Sequence, residues 1–361
     1  MAFSLKNLLG KPNADLIGVD ISASGIKVVE LSGTLKKPEL VAYAAESLPK
    51  GAVTNGQIEK SDVVIETLER AIRRSGSSAK NVALAMPSSS VIVRKLKFPI
   101  DLNDEMLEIQ VDAEAGTHVP FPADDIRLDF AVMDNPLLKD EQEVLLVAAK
   151  RDLVDARLNI AETLGLTPLV MDIESYTVQR TLDFMTQQLP GQGRGLMVAL
   201  VSIGAYSLGI AVVNNGEIVF EREQPFGGQT LTQDIMRAYT LSAEDAELKK
   251  RNGGLPADYA QRLLTPFIED AASVVARSLQ FFFTSTPFSR VDQIMLGGGC
   301  AVLPGMVDKV LERTQMPTML CTPTAGMLIG SGIREKQLQL DEPMLTVAFG
   351  LALRRFYGAA A

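Results

Sequence analysis

The chain is poor in the residues that build most metal and nucleophile sites. Among 361 residues there is one histidine, His118, which excludes a histidine-cluster metal centre and argues against triad chemistry. The two cysteines, Cys300 and Cys321, show no CxxC spacing, so neither a disulfide framework nor a zinc site is expected. Net positive charge is also lacking. At −9 the chain has no broad surface for a phosphate backbone, which excludes general nucleic-acid binding. The opening MAFSLKNLLGKP has too short an apolar run for a secretory signal, and its weak amphipathicity predicts a frayed end. Leu196–Val213 carries no charge but is broken by Ser202, Gly204, Ser207 and Gly209 and followed by Asn214-Asn215-Gly216, so it reads as a buried hairpin rather than a membrane span.

What is present is globular and internally repetitive. Hydrophobic residues make up 47% and charged residues 22%, and the length calls for more than one core. DLIGVDISASGIKVVEL (15–31) and MVALVSIGAYSLGIAVV (197–213) read as one device used twice: a strand, a turn of small residues, a return strand. Such a turn aims backbone N–H groups and hydroxyls at one spot, which suits a phosphate. In the first copy Ser22, Ala23 and Ser24 form the turn, with Asp20 placed to stand behind a Mg²⁺ ion and Lys27 to neutralise phosphate charge. In the second, Ser202, Gly204, Ala205 and Tyr206 take the corresponding places. Each turn alone is also compatible with an ordinary hairpin. Ala205–Gly209 resembles a nucleophile elbow, but the lone histidine lies upstream of it.

Three further clusters follow in order. Asp172 and Glu174 in VMDIESY alternate at a strand end and are candidates to position an attacking water. Glu247 and Lys250, three apart on a helix, form either an exposed ion pair or the wall of a nucleoside pocket. Gly297, Gly298 and Gly299, read as a strand running into a helix, let a ligand approach bare backbone. Elsewhere Ser61 is a candidate N-cap for the helix 61–75, and QQLPGQGRG (187–195) a domain boundary.

The order of turn, acidic strand end, turn, Glu/Lys helix and glycine run resembles the actin-like ATPase superfamily. An α+β segment inserted between VALAMP and VMDIES resembles the FtsA-like branch. Within that branch, VDISASGIKVVEL, EIQVDAEAGTHVPFPADDIRLDF, FGGQTLTQDIMRAY, KKRNGGLPADY, ARSLQFFFTS and FGLALRRF resemble the PilM family of type IV pilus assembly proteins, over about residues 14–357. The ending RRFYGAAA, too short for the membrane helix of FtsA-like division proteins, points the same way.

The resemblance implies an α/β, two-domain actin-like fold of duplicated ribonuclease H-like halves. Residues 1–90 and 167–190 make the first half, with a C-terminal helix 344–358 packing back. Residues 91–166 make the inserted α+β subdomain. Residues 191–343 make the second half, with a helical subdomain at about 225–288. It further implies a cytoplasmic protein peripheral to the inner membrane, ATP with Mg²⁺ in an interdomain cleft, and capture of the N-terminal tail peptide of PilN near Val91–Phe98 and Ile126–Val132. Self-association is a second candidate interaction, and contact with the membrane is expected only through the partner. Ser202 departs from the superfamily, which carries an acid there, so hydrolysis is expected to be weak or absent. A polymerising ATPase, a division protein and a small-molecule kinase are the alternatives.

Overall fold

The computed structural model describes residues 15–133, 138–187, 193 and 195–357. The N-terminal segment and most of 187–195 lie outside the described residues. Contacts divide the chain into two compact units, residues 1–176 with 351–361, and residues 177–350. Both passages between units fall inside helices, not in the glycine-rich stretch 187–195.

In the first unit, β1 (Leu16–Ser22) and β2 (Gly25–Thr34) are buried along nearly their whole length, as strands covered on both faces must be. With β3 (Lys37–Ser47), β6 (Asn81–Met86) and β10 (Thr167–Ile173) they run in the order β10-β6-β1-β2-β3, β1 antiparallel to β2 and parallel to β6. Between β3 and β6 lie a short hairpin, β4 (Val53–Thr54) and β5 (Gln57–Ile58), and α1 (Ser61–Ser75). Asn55-Gly56 joins the hairpin with φ of 49° and 75°, the left-handed pair that a tight primed turn needs. Ser61 is the first helical residue of α1 and not its cap. Lys60 holds the cap position without a side-chain bond, and Gly76, at φ 74°, closes the helix. Val64, Leu68 and Ala71 of α1 pack with Ile17, Val19, Val28 and Val82.

Residues 91–166 divide between two cores. β7 (Val91–Pro99), β8 (Ile126–Met133) and β9 (Glu141–Lys150) form an antiparallel sheet in the order β7-β9-β8, covered by α2 (Asp104–His118) over Phe98, Leu107, Val111, Val144 and Leu146. α2 starts where Asn103 Oδ1 accepts from Met106 N at 2.8 Å. α3 (Arg151–Thr163) follows β9 without a linker, and its Ile160 and Ala161 join the core of the main sheet.

The second unit repeats the first. β11 (Met197–Ile203), β12 (Leu208–Asn214), β13 (Glu217–Gln224), β14 (Gln293–Gly297) and β15 (Thr318–Leu320) run β13-β12-β11-β14-β15, with β11 antiparallel to β12 and parallel to β14. The uncharged run at 196–213 is therefore a hairpin, and no helix among the described residues is long and apolar enough to cross a membrane. Between β13 and β14 lie α5 (Gly228–Tyr239), α6 (Ala243–Asn252) and α7 (Thr265–Ser285), following α4 (Glu174–Thr186) in chain order. After β14 comes α8 (Met306–Thr314), then α9 (Glu335–Asp341) and α10 (Thr346–Ala352).

α10 approaches α4 so closely that Gly350 has no room for a Cβ, which would collide with the Thr177 carbonyl and the Thr181 hydroxyl. Thr181 Oγ1 in turn donates to Thr346 O at 2.8 Å. Gly350→Val is expected to lower stability by about 3 kcal/mol, the upper end for overpacking. Urea unfolding measures this, and an unchanged midpoint would show that the helix–helix contact is not close.

Candidate functional site

The first-unit turn is tight and already internally paired. Ser22 stands opposite Gly25, so Ala23 and Ser24 alone form the loop. The register also sets Asp20 opposite Lys27. Lys27 Nζ lies 2.9 Å from Asp20 Oδ2 and 2.6 Å from Ser22 Oγ, and Ser22 Oγ donates to Gly25 O at 2.9 Å. Asp20 and Lys27 are both buried. Lys27 is thus drawn back onto the strand, and the seat that a cation would take at Asp20 holds its ammonium. The donor set does not fit a directly ligated Mg²⁺, and no group of three or more metal-ligating side chains occurs among the described residues.

Asp172 and Glu174 do not alternate on one strand. β10 ends at Ile173 and Glu174 opens α4, so the shared-face expectation fails at the strand–helix junction. Asp172 Oδ1 accepts from Ile173 N at 2.9 Å, and Oδ2 lies 3.3 Å from Arg354 Nε. Glu174 belongs instead with Arg157 of α3, which the sequence reading missed. Arg157 is 1% exposed and donates to Gly56 O at 2.6 Å and Leu153 O at 3.2 Å. Burial pulls its guanidinium pKa down, opposed by the charges of Glu174 and then Asp20.

The second unit assembles a denser polar group. Its turn is longer: Ile203 pairs with Leu208, leaving Gly204–Ser207 as the loop, so the two turns are not copies in length. Ser202 lies on β11 opposite Gly209 and Gly297, with no carboxylate. The loop carbonyls of Gly204 and Ala205 accept from Gly228 N at 2.9 Å and Gln229 N at 2.8 Å, so α5 begins directly against the turn. This seat requires bare backbone. A Cβ on Gly227 would lie 2.5 Å from Ala205 O, and one on Gly228 would strike Cys300 Sγ.

Around that seat, Lys250 Nζ reaches Glu247 Oε2 at 2.6 Å, Thr232 Oγ1 at 2.7 Å and Gly228 O at 3.3 Å. Thr232 Oγ1 also lies 2.7 Å from Glu247 Oε2. The Glu247–Lys250 pair is therefore not an exposed surface pair: the lysine side chain is 9% exposed. Burial alone would raise the Glu247 carboxyl, but the charge and hydrogen bond of Lys250, with help from Thr232 and Arg251, hold it below the usual carboxylate range. Tyr206, whose side chain is substantially exposed, feels Glu247 as well. Tyr259 adds a buried hydroxyl without a hydrogen-bond partner among the described residues, its pKa pushed up to about 12 by burial and by Cys300, Tyr239 and Glu247.

The glycine run closes the group differently from the sequence expectation. Gly297 ends β14, Gly298 turns at φ 81° against Ile203, and α8 starts only at Met306. The bare backbone at 297–299 therefore is not a helix N-terminus. Gly298 N donates to Pro343 O at 2.7 Å and Cys300 N to Ile203 O at 3.1 Å. Cys300, buried beneath Gly228, has its thiol pKa pushed up to about 11 by burial and is unreactive at neutral pH. A glycine-floored cradle with a buried cation, a carboxylate, a threonine hydroxyl and an orphan phenol is a donor set that fits the sugar and base of a nucleoside.

The inserted sheet carries a third feature. Its edge strand β7 and helix α2 enclose a groove of about 400 Å³ lined by Leu96, Phe98, Pro99, Gln110, Ala113 and His118 among others.

Two sheets that share a five-strand order, each opening on a hairpin turn, define an actin-like ATPase fold. Consistent with this, the chain is 23% identical over 355 residues to the cell division protein FtsA of Bacillus subtilis strain 168, covering 85% of this chain and 78% of that one. It also resembles the ethanolamine utilization protein EutJ of Carboxydothermus hydrogenoformans, with a TM-score of 0.54, 17% identity and coverage of 97% and 92%. A model of the family described as type IV pilus assembly protein PilM matches residues 18–356, and the chain belongs to that family. A chain solved in a PilM–PilN type IV pilus biogenesis complex superimposes with a TM-score of 0.76 at 25% identity, over 96% of this chain and 99% of that one.

Glu247 yields a prediction with a defined sign. Its folded pKa is depressed, so its contribution to stability is present above the unfolded value of about 4.3 and lost as pH falls through that value toward the folded one. Between pH 6 and pH 3 the thermal midpoint of Glu247→Gln is expected to fall less steeply than that of the wild type. Parallel curves would show that the carboxylate is not held by Lys250.

Proposed function

We propose that this protein is an adaptor of the type IV pilus assembly machine. It holds the N-terminal tail of PilN on its inserted subdomain and binds ATP as a conformational ligand, working at the cytoplasmic side of the inner membrane. The observation that carries the reading is the near-complete match, at 25% identity, to a chain solved in a PilM–PilN complex. The groove between β7 and α2 supports the peptide half of it. β7 is an edge strand with unpaired backbone groups, so an extended tail can add a strand there and set its apolar side chains against Leu96, Phe98 and Ala113.

The nucleotide half rests on the second-unit cradle. Lys250, Glu247 and Thr232 would face the ribose, and the Tyr259 hydroxyl would donate to the nucleoside. Hydrolysis is expected to be weak or absent. Asp20 is held by Lys27, Ser202 supplies no charge, and Glu174 lies under the influence of buried Arg157, so no free carboxylate is presented to a water by these candidates. A ligand bound without turnover acts only through its different affinities for two conformations.

A synthetic PilN tail peptide is expected to bind in calorimetry, and Ala113→Arg, which fills the groove, to weaken it at least about tenfold. Unaltered affinity in that variant would move the peptide elsewhere, and no binding to the wild type would remove the adaptor reading. For the nucleotide, Lys250→Met is expected to reduce ATP affinity about tenfold or more. Steady-state turnover by the wild type at about 1 per second or faster would overturn the non-hydrolytic reading.

A further inference from the structure

Two further surfaces complement each other in charge. The first is the solvent face of α2. Leu107, Val111 and Ala115 point into the inserted core. Opposite them, Met106, Ile109 and Ala113 are exposed at i, i+3 and i+7, with Met106 at 55% and Ile109 at 64%. Beside this apolar stripe runs an acidic one with the same spacing, Glu105, Glu108 and Asp112, all exposed and in no ion pair among the described residues. Burying neither stripe inside the chain is costly for the apolar one and unexplained by the fold.

The second surface is a groove of about 520 Å³ on the second unit, between β13, an edge strand, and α7. Val274, Arg277, Ser278 and Phe281 line its helical wall at i, i+3, i+4 and i+7. Phe281 is 47% exposed, and the Arg222 guanidinium lies over its ring at 4.1 Å. Arg277 is exposed, and neither arginine is in an ion pair among the described residues. The groove thus offers an aromatic floor with cations on two sides, in a protein whose net charge is −9.

We infer that α2 of one copy docks in the β13–α7 groove of a second copy. Met106 and Ile109 cover Phe281, while Glu105, Glu108 and Asp112 meet Arg222 and Arg277. An amphipathic helix in an apolar groove, with charges fixing its register, is an established way for a helix face to be recognised. The contact is heterologous, since the two faces are different surfaces of the chain, and each pairing through one junction leaves one face of each kind unused. Ala113 borders both this stripe and the β7 groove, whereas Met106 and Ile109 do not line that groove.

Sedimentation velocity on the full chain tests this. The wild type is expected to associate with rising concentration up to about 100 µM, and to dissociate as salt rises from about 0.05 M to 0.5 M, where the Debye length shrinks. A variant with Glu105→Lys, Glu108→Lys and Asp112→Lys is expected to self-associate at least about tenfold more weakly, and so is one with Arg222→Glu and Arg277→Glu. The equimolar mixture of the two is expected to recover association, because the basic helix of one variant meets the acidic groove of the other. Far-UV circular dichroism checks folding, and Ile109→Ser and Phe281→Ser replace any charge variant that fails it. A wild type monomeric at every concentration overturns the inference. So do variants that associate like the wild type, or a mixture that stays monomeric.

Discussion

The seating of α5 on the second hairpin turn is the constraint from which the candidate site is built. Gly228 N and Gln229 N bond to the carbonyls of Gly204 and Ala205, and the approach is too close for any side chain at Gly227 or Gly228. Once α5 is held there, Thr232 sits one turn along it, and α6 brings Glu247 and Lys250 to Thr232 and the Gly228 carbonyl. Burying an ammonium is costly unless its donors are met, and here a carboxylate, a hydroxyl and a carbonyl meet them. The same approach places Cys300 under Gly228 and so ties β14 to the turn through Cys300 N and Ile203 O.

The two sheets share a strand order but have diverged where chemistry would occur. In the first unit, the ladder pairs Asp20 with Lys27, and a two-residue loop leaves little backbone free. In the second, the corresponding rungs are Ser202 and Gly209, and a four-residue loop supplies carbonyls to an incoming helix. A duplicated backbone can thus serve two purposes, because the purpose is set by a few side chains at the strand ends and by loop length. The acidic residue that hydrolysis favours is absent from one turn and neutralised in the other.

The inserted segment is a small sheet with its own core and open edges. Its central strand β9 passes without a loop into α3, which carries Arg157 beneath the first sheet. A buried guanidinium bonded to the Gly56 carbonyl, under the charges of Glu174 and Asp20, makes α3 hard to displace without disturbing residues near the first turn. The segment that offers a partner surface is in this way continuous with the first half's interior.

Much of this was legible in the residues. Largely apolar runs at 16–22 and 197–203 require central buried strands, Asn-Gly pairs require tight turns, and the repeat of strand, turn and strand marks the duplication. The helix at 61–75 follows from apolar spacing, and Ser202 stands out against Asp20 in the sequence itself. Other features depend on contacts between distant segments, which no local pattern records. The strand–helix junction at Ile173 separates Asp172 from Glu174 despite their alternation. α3 leaves the inserted core for the main one because its apolar face meets α1. Tyr259, Thr232 and Arg157 carry no motif, and they matter only because folding buries their polar atoms beside Glu247, Lys250 and Glu174. Local propensity and periodicity determine the elements and their order. Burial of charge, and the few places where backbone meets backbone with no side chain between, are decided by the tertiary structure alone.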